Sequence, residues 1–152
     1  MLAEQGKNSQ SQMIIQVVSL TIQMLGWVSF ALLLILLVDL LWPSMALRPY
    51  LRFACHQNPS RCLLIDGHPL ALCARCLGVY AGFLSWPLVW RLNRLFLLPW
   101  ILIAAGELIY QFMGGDGSNE WRLAAGIGLA YVIIMGLLSA ANLITQFRRR
   151  VT

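Results

Sequence analysis

The four cysteines and both histidines of the chain all fall between residues 55 and 76, so this segment is the first candidate for chemistry. Cys73 and Cys76 lie three residues apart at the predicted start of a helix, which places both side chains on one face. The exposed amides and positive dipole end of a helix favour a thiolate there, and Arg75 between the two cysteines adds positive charge. The spacing therefore predicts a reactive thiolate or a metal ligand.

One interpretation of this segment is a zinc site of the Cys3His type. Cys55, Cys73 and Cys76 would supply three sulfur ligands, and either His56 or His68 would supply the nitrogen. A closed site of this kind would hold the loop against the helices and would need no catalytic water.

A second interpretation is thiol–disulfide exchange, in which a Cys73–Cys76 pair would exchange with a Cys55–Cys62 pair. The layout is similar to that of quinone-linked disulfide-forming membrane enzymes, with four helices, a CxxC at the start of the second helix and an arginine nearby. Quinone would then be the cofactor. A third interpretation is one or two structural disulfides, which an extracytoplasmic loop would permit.

The composition indicates that these residues belong to an integral membrane protein. Of the 152 residues, 59% are hydrophobic and only 11% are charged, whereas ordinary soluble domains carry about 25% charged residues. The net charge of +5 does not indicate nucleic-acid binding, because the basic residues border apolar runs as they do in membrane proteins. The expected partner is the lipid bilayer.

The hydropathy pattern predicts an all-α bundle of four transmembrane helices in a single domain over residues 1–152. A helix of about 20 residues crosses the hydrocarbon core of a bilayer. A flexible tail is expected at residues 1–12, and the Cys/His-containing loop at residues 43–70 separates the first two helices. The predicted helices cover residues 20–42, 72–90, 95–113 and 122–145.

Four alternating spans place the Cys/His loop, the start of helices two and four and the end of helix three on the same side. The opposite side holds both termini. It carries six Lys and Arg residues against five on the Cys/His side, which favours cytoplasmic termini by the positive-inside rule. We therefore expect a protein of the cytoplasmic (inner) membrane whose site faces the extracytoplasmic side.

Ionisable groups inside the predicted helices need partners, because charge within a bilayer is costly. Glu107 lies in the third predicted helix, and Arg75 and Arg122 begin neighbouring helices on the same side. Asp39 is expected to be solvated near the interface, and Tyr80 lies one turn beyond Cys76, within reach of the site.

Small residues recur every four positions in the second predicted helix, at Ala74, Gly78 and Gly82. A second stripe in the fourth helix comprises Ala124, Gly128, Gly136 and Ala140. Such stripes allow two helix backbones to approach closely.

Three motifs give the chain a resemblance to a known family. The first is Cys55-His56-Gln57-x-Pro59-x-Arg61, and the second is Cys73-Ala74-Arg75-Cys76-Leu77-Gly78-Val79-Tyr80-x-Gly82. The third is Ser118-Asn119-x-x-Arg122-x-x-x-Gly126. The chain resembles, from about residue 52 to 128, a group of small predicted membrane proteins of bacteria and archaea that carries a domain-of-unknown-function label.

The resemblance implies that one family site comprises Cys55, His56, Gln57, Arg61, Cys73, Arg75, Cys76, Tyr80, Ser118, Asn119 and Arg122. Family members often have serine at the position of Cys62, which favours the three-cysteine metal site over the redox pair. An acidic residue near the end of helix three also belongs to the family pattern, at Glu107. The label names no activity, and a non-catalytic accessory subunit of a larger membrane complex is a further alternative.

Overall fold

The computed structural model describes residues 2–41, 48–65, 67–89 and 97–150 of the chain, and this part is mainly helical. The elements are the helices α1 (Leu2–Leu41), α2 (Arg48–Leu51), α3 (Ala74–Val89), α4 (Leu97–Phe112) and α5 (Asn119–Arg150), the strands β1 (Cys62–Ile65) and β2 (His68–Cys73), and one 3-10 turn (Pro59–Arg61). The four predicted helices correspond to α1, α3, α4 and α5. The predicted bounds at residues 42, 90 and 95 lie outside the described residues.

Helix α1 extends much further toward the N-terminus than the hydropathy pattern predicts. The segment predicted as a flexible tail at residues 1–12 lies, from Leu2 onward, in the continuous helix Leu2–Leu41. Residues 2–11 contain no proline, and each residue added to an existing helix gains a backbone hydrogen bond without a new nucleation cost. Low hydropathy excluded this segment from a membrane span but not from the helix.

The predicted loop between the first two membrane helices contains a β-hairpin, so a purely α-helical fold is incorrect. Strands β1 and β2 pair antiparallel, with Ile65 opposite His68, Leu64 opposite Pro69 and Cys62 opposite Cys73. Gly67 has a φ of +78° in the connecting turn, a conformation that glycine adopts without steric cost. Asp66-Gly67 between two short aliphatic runs is a recognised hairpin signal. The strand also shortens the predicted second helix, which begins at Ala74 rather than at residue 72.

Helices α3 and α5 pack with their backbones in direct contact. A Cβ built on Gly126 would lie 3.0 Å from the Gly78 Cα and would overlap the Arg75 carbonyl oxygen. One turn further along, a Cβ on Gly82 would lie 2.6 Å from the Ala130 Cβ. The predicted contact stripe is therefore confirmed at Gly78 and Gly82, and its partner surface is the face of α5 that carries Gly126.

Helix α4 packs on a second face of α5, at Gly128. A Cβ there would lie 3.0 Å from the Ala104 Cβ and would overlap the Trp100 carbonyl oxygen. The predicted stripe on α5 is confirmed only in part, because nothing in the described structure lies within 4 Å of a Cβ built on Gly136. Helix α5 is thus the central element, with α3 and α4 on two of its faces.

Helix α1 packs mainly against α3, and the core between the helices is apolar. Its buried members are Ile22, Phe83, Trp86, Ala130, Tyr131 and Ile134. Asp39, near the end of α1, is only 6% exposed. The expectation that it is solvated is therefore wrong.

Two helices of the described chain are long and apolar enough to cross a membrane by length and composition. The segments are Gln12–Leu41 and Asn119–Phe147, with mean hydropathies of 2.5 and 2.2. Helix α4 contributes a shorter apolar segment, Leu98–Phe112. Large apolar side chains such as Trp27 and Phe147 are exposed on the two long helices, an arrangement suited to contact with lipid.

An ion pair between a half-buried arginine and a buried carboxylate joins the start of α3 to the last part of α4. Arg75 donates a hydrogen bond through Nη2 to the Glu107 carboxylate, which is 1% exposed. The same carboxylate accepts a 2.6 Å hydrogen bond from the Gln111 side-chain amide, one turn along α4. The structure thus selects Arg75 over Arg122 as the cationic partner of Glu107.

We expect Gly126→Ala to destabilise the protein by about 1–3 kcal/mol, because the added methyl group overpacks the contact between α3 and α5. Gly136→Ala is the matched control on the same helix. It meets open space and should be neutral or stabilising by up to about 1 kcal/mol, since alanine favours helix over glycine. Thermal unfolding of the detergent-solubilised protein, followed by circular dichroism, measures both effects. Equal melting temperatures for the two variants would contradict the close packing of α3 and α5.

We expect Glu107→Gln to lower stability by about 1–3 kcal/mol, the cost of leaving a buried polar group without its full partner. Arg75 would then face a neutral amide in place of a carboxylate. The control variant Glu120→Gln removes an exposed carboxylate on α5 and should cause a smaller loss of stability than Glu107→Gln. The same melting experiment compares them, and a Glu107→Gln melting temperature equal to that of the unmodified protein would reject a stabilising ion pair.

Candidate metal centre

Three cysteine sulfur atoms come together where the hairpin joins α3. The Sγ atoms of Cys55, Cys73 and Cys76 all lie within 4.8 Å of one another, and we call this group the three-sulfur cluster. Cys55 lies in the turn after α2, Cys73 ends β2, and Cys76 lies in the first turn of α3. Cys73 and Cys76 are brought together by local geometry, whereas Cys55 is brought to them by the tertiary fold.

Backbone amides point at the Cys55 sulfur. The Cys73 N–H donates a hydrogen bond to Sγ at 3.1 Å, and the Gln57 N–H donates another at 3.4 Å. Gln57 has a φ of +50°, which is uncommon for a residue with a side chain. Hydrogen bonds from the Cys73 and Cys76 thiols, together with those two amides, hold the pKa of Cys55 well below its ordinary value, against the opposing effect of burial. The Cys55 sulfur is therefore prepared to carry negative charge.

The cluster is supported on its inner side by packed residues. Cys55 packs in a buried apolar group with Leu51, Ala71 and Leu72. The Tyr80 hydroxyl donates a 3.0 Å hydrogen bond to the Ala54 carbonyl oxygen, which ties α3 to the residue before Cys55. Tyr80 thus lies beside the site, as its spacing predicts.

Cys62 lies outside the three-sulfur cluster. It is 2% exposed, and its thiol donates a 3.1 Å hydrogen bond to the Asn58 carbonyl oxygen. All four cysteines lie in the described part of the chain, and none forms a disulfide in the structure. The Cys55–Cys62 pair of the redox interpretation is thus not joined by a disulfide in the structure.

Neither histidine contributes a ring nitrogen to the cluster among the described residues. His56 is exposed beside Cys55 and lines a shallow depression of about 360 Å³ together with Arg52, Cys55 and Gln57. His68 is exposed at the start of β2, and Arg61 is exposed at the end of the 3-10 turn. Of the two predicted nitrogen ligands, His56 is thus the one that lines the same depression as a cluster residue.

The start of α5 reaches the hairpin through a chain of polar contacts. The Asn119 side-chain amide donates a 2.9 Å hydrogen bond to the Cys62 carbonyl oxygen and accepts one of 3.2 Å from Arg122. Arg122 also pairs with Asp116 at 3.0 Å. Ser118 caps the helix by accepting a hydrogen bond from the Trp121 N–H. These residues hold the hairpin in place rather than joining the cluster.

Sequence reasoning missed two polar residues that the structure uses, Gln111 and Asn58. Gln111 had a detectable signal, since it lies four residues after Glu107 and therefore on the same helix face. The contact of the Asn58 carbonyl oxygen with the Cys62 thiol had no signal in the sequence, because the 3-10 turn positions that carbonyl.

Comparison with known proteins adds a family. The family described as "Predicted membrane protein (DUF2085)" matches residues 55–136, more than half of the chain. The matched region contains the three-sulfur cluster, the Arg75–Glu107 pair and Arg122.

Two archaeal relatives are similar to the same part of the chain. An uncharacterised protein of Methanocaldococcus jannaschii is 30% identical in an alignment 95 positions long that covers 55% of this chain and 61% of that protein. An uncharacterised protein of Methanothermobacter thermautotrophicus is 32% identical in an alignment 97 positions long that covers 52% of this chain and 83% of that protein. The match thus spans about three fifths of the first relative. No solved structure matches the chain. The extent of the family match shows that the chain belongs to the DUF2085 family of predicted membrane proteins.

Proposed function

We propose that this membrane protein binds zinc at Cys55, Cys73 and Cys76. The observation that carries the proposal is the mutual approach of three cysteine sulfur atoms to within 4.8 Å. Zinc–sulfur bonds of about 2.3 Å at tetrahedral angles hold two sulfur atoms about 3.8 Å apart. The cluster therefore needs only small side-chain rotations to close around an ion.

The chemistry of the cluster favours zinc over harder cations. Three thiolates are soft ligands, which select zinc and similar metals, whereas magnesium and calcium prefer oxygen. The amide hydrogen bonds to the Cys55 sulfur stabilise the thiolate that a metal requires. Outer contacts of this kind orient metal ligands and tune their basicity.

His56 is the proposed fourth ligand. It adjoins Cys55 in sequence and lines the same depression, and its exposed ring is not held by packing. His68 lies in β2 beyond the hairpin turn, which makes it the weaker alternative. A Cys3His set would be a closed site with a structural role.

We further propose that α1, α3, α4 and α5 each cross the bilayer, with the cluster at the extracytoplasmic face of the cytoplasmic membrane. Arg75–Glu107 links the start of α3 to the end of α4, and Asn119 links the start of α5 to the hairpin. These contacts support placing those ends together, as alternating spans require. The lysine and arginine distribution supports cytoplasmic termini.

We expect the purified full-length protein to contain one zinc ion per chain and Cys73→Ser to lose most of it, because only two thiolate ligands remain. Cys62→Ser is the matched control: it removes a buried cysteine outside the cluster and should keep the metal. Metal content is measured by mass spectrometry of the protein purified in detergent without added chelator. Zinc-free protein in which all three cluster cysteines react with an alkylating reagent under native conditions would overturn the proposal.

Thiol–disulfide exchange is the second candidate, because Cys73 and Cys76 of the CxxC share the cluster. It would appear in the same preparation as a Cys73–Cys76 disulfide in place of bound metal. A quinone-linked activity would additionally require that reduced protein be reoxidised by added quinone.

A further inference from the structure

The hairpin places the one cysteine outside the cluster opposite a cysteine within it. Cys62 of β1 and Cys73 of β2 are direct partners in the antiparallel pairing, beyond a register shift between Cys62 and Leu64. Directly opposed residues of an antiparallel pair have Cα atoms about 4.5–5.5 Å apart. Disulfides span Cα separations of about 4.4–6.8 Å. The backbone separation therefore suits a cross-strand disulfide, once Cys62 gives up its hydrogen bond to Asn58.

The backbone of Cys62 is held in this register from outside the hairpin. Its carbonyl oxygen accepts the 2.9 Å hydrogen bond from Asn119, and Asn119 is in turn held by Arg122, which is 5% exposed. Helix α5 thus fixes the strand position that keeps Cys62 opposite Cys73.

Burial assigns different roles to the two thiols. Cys73 is partly exposed, whereas Cys62 is 2% exposed. Cys73 is therefore the more accessible of the two residues to a reagent from solution. Cys62 is placed to act in a second, intramolecular step.

We propose that Cys62 and Cys73 form a thiol–disulfide pair that removes one ligand from the metal centre under oxidising conditions. Cys73 attacks a small-molecule disulfide, RSSR, to give a mixed Cys73–S–SR disulfide and one RSH. Cys62 then attacks the Cys73 sulfur, forms the Cys62–Cys73 disulfide and releases the second RSH. Both cysteines are oxidised, and RSSR is reduced to two thiols. The metal keeps only two of its three sulfur ligands and is released.

The release of metal rests on the proposed function, whereas the disulfide itself does not. The test treats the zinc-loaded full-length protein in detergent with oxidised glutathione. Zinc release is followed with a chromogenic chelator, and disulfides are mapped by mass spectrometry after alkylation and proteolysis. Cys62→Ser and Cys62→Ala are the variants, since both leave the cluster intact and only the serine retains a hydrogen-bonding hydroxyl.

We expect a peptide linked through Cys62 and Cys73 in the unmodified protein, together with zinc release. In both variants Cys73 should instead accumulate as its glutathione mixed disulfide, and no Cys62–Cys73 peptide should form, because the intramolecular second step is lost. A Cys73–Cys76 or Cys55–Cys73 disulfide as the main product, or variants that accumulate no more mixed disulfide than the unmodified protein, would overturn the proposal. Protein isolated without zinc would contradict the metal site alone, since disulfide mapping of the same sample still decides whether Cys62 pairs with Cys73.

Discussion

The glycine contact between α3 and α5 is the constraint on which the rest of the structure depends. The Arg75 carbonyl and the Gly78 Cα lie against Gly126, with no room for a side chain between the two backbones. Because this contact is in the first turns of α3, it fixes the helix end that carries Cys76. Lipid provides no hydrophobic force between helices, so such close van der Waals packing is a principal source of association within a bilayer.

An ion pair at the start of α3 reinforces this contact. The Arg75 side chain reaches α4 at Glu107, while its backbone rests on α5. One residue thus engages both neighbours of α3. The hairpin is held against the same end by Asn119, so two of the elements that border the cluster, α3 and the hairpin, are tied to α5. The three-sulfur cluster is therefore positioned by packed helices as well as by its own loop.

The helices could be predicted from the sequence because hydropathy is a local property, and α1, α3, α4 and α5 all appear where apolar runs occur. The helical structure of the first ten residues of α1 could not be predicted in this way, since low hydropathy says little about helix formation. The hairpin was missed although Asp66-Gly67 signals a turn, because its strands are short and only their pairing stabilises them. Gly126 was not predicted as the partner of Gly78, since pairing of two faces is a tertiary property.

The candidate site was predictable to the extent that its geometry is local. CxxC at a helix start brings Cys73 and Cys76 together by spacing alone. Cys55 joins them through the path of the chain after α2, and its inclusion followed from its residue type and from the family motif that begins with it. Cys62 has the same residue type, yet its sulfur turns toward Asn58. Residue type therefore identifies the candidate ligands, whereas only the structure shows that the Cys55 sulfur joins the cluster and the Cys62 sulfur does not.

The length of α1 has a consequence for the membrane around the protein. Its apolar segment of 30 residues is about 45 Å long, against a hydrocarbon thickness of about 30 Å. Such an excess is accommodated by tilting or by local thickening of the bilayer. Helix α1 packs mainly against α3, and its Ile22 shares the buried core with Phe83 and Ala130, next to the contact between Gly82 and Ala130. A tilt of α1 would therefore also change the packing between α3 and α5, which would make this contact responsive to the thickness of the bilayer.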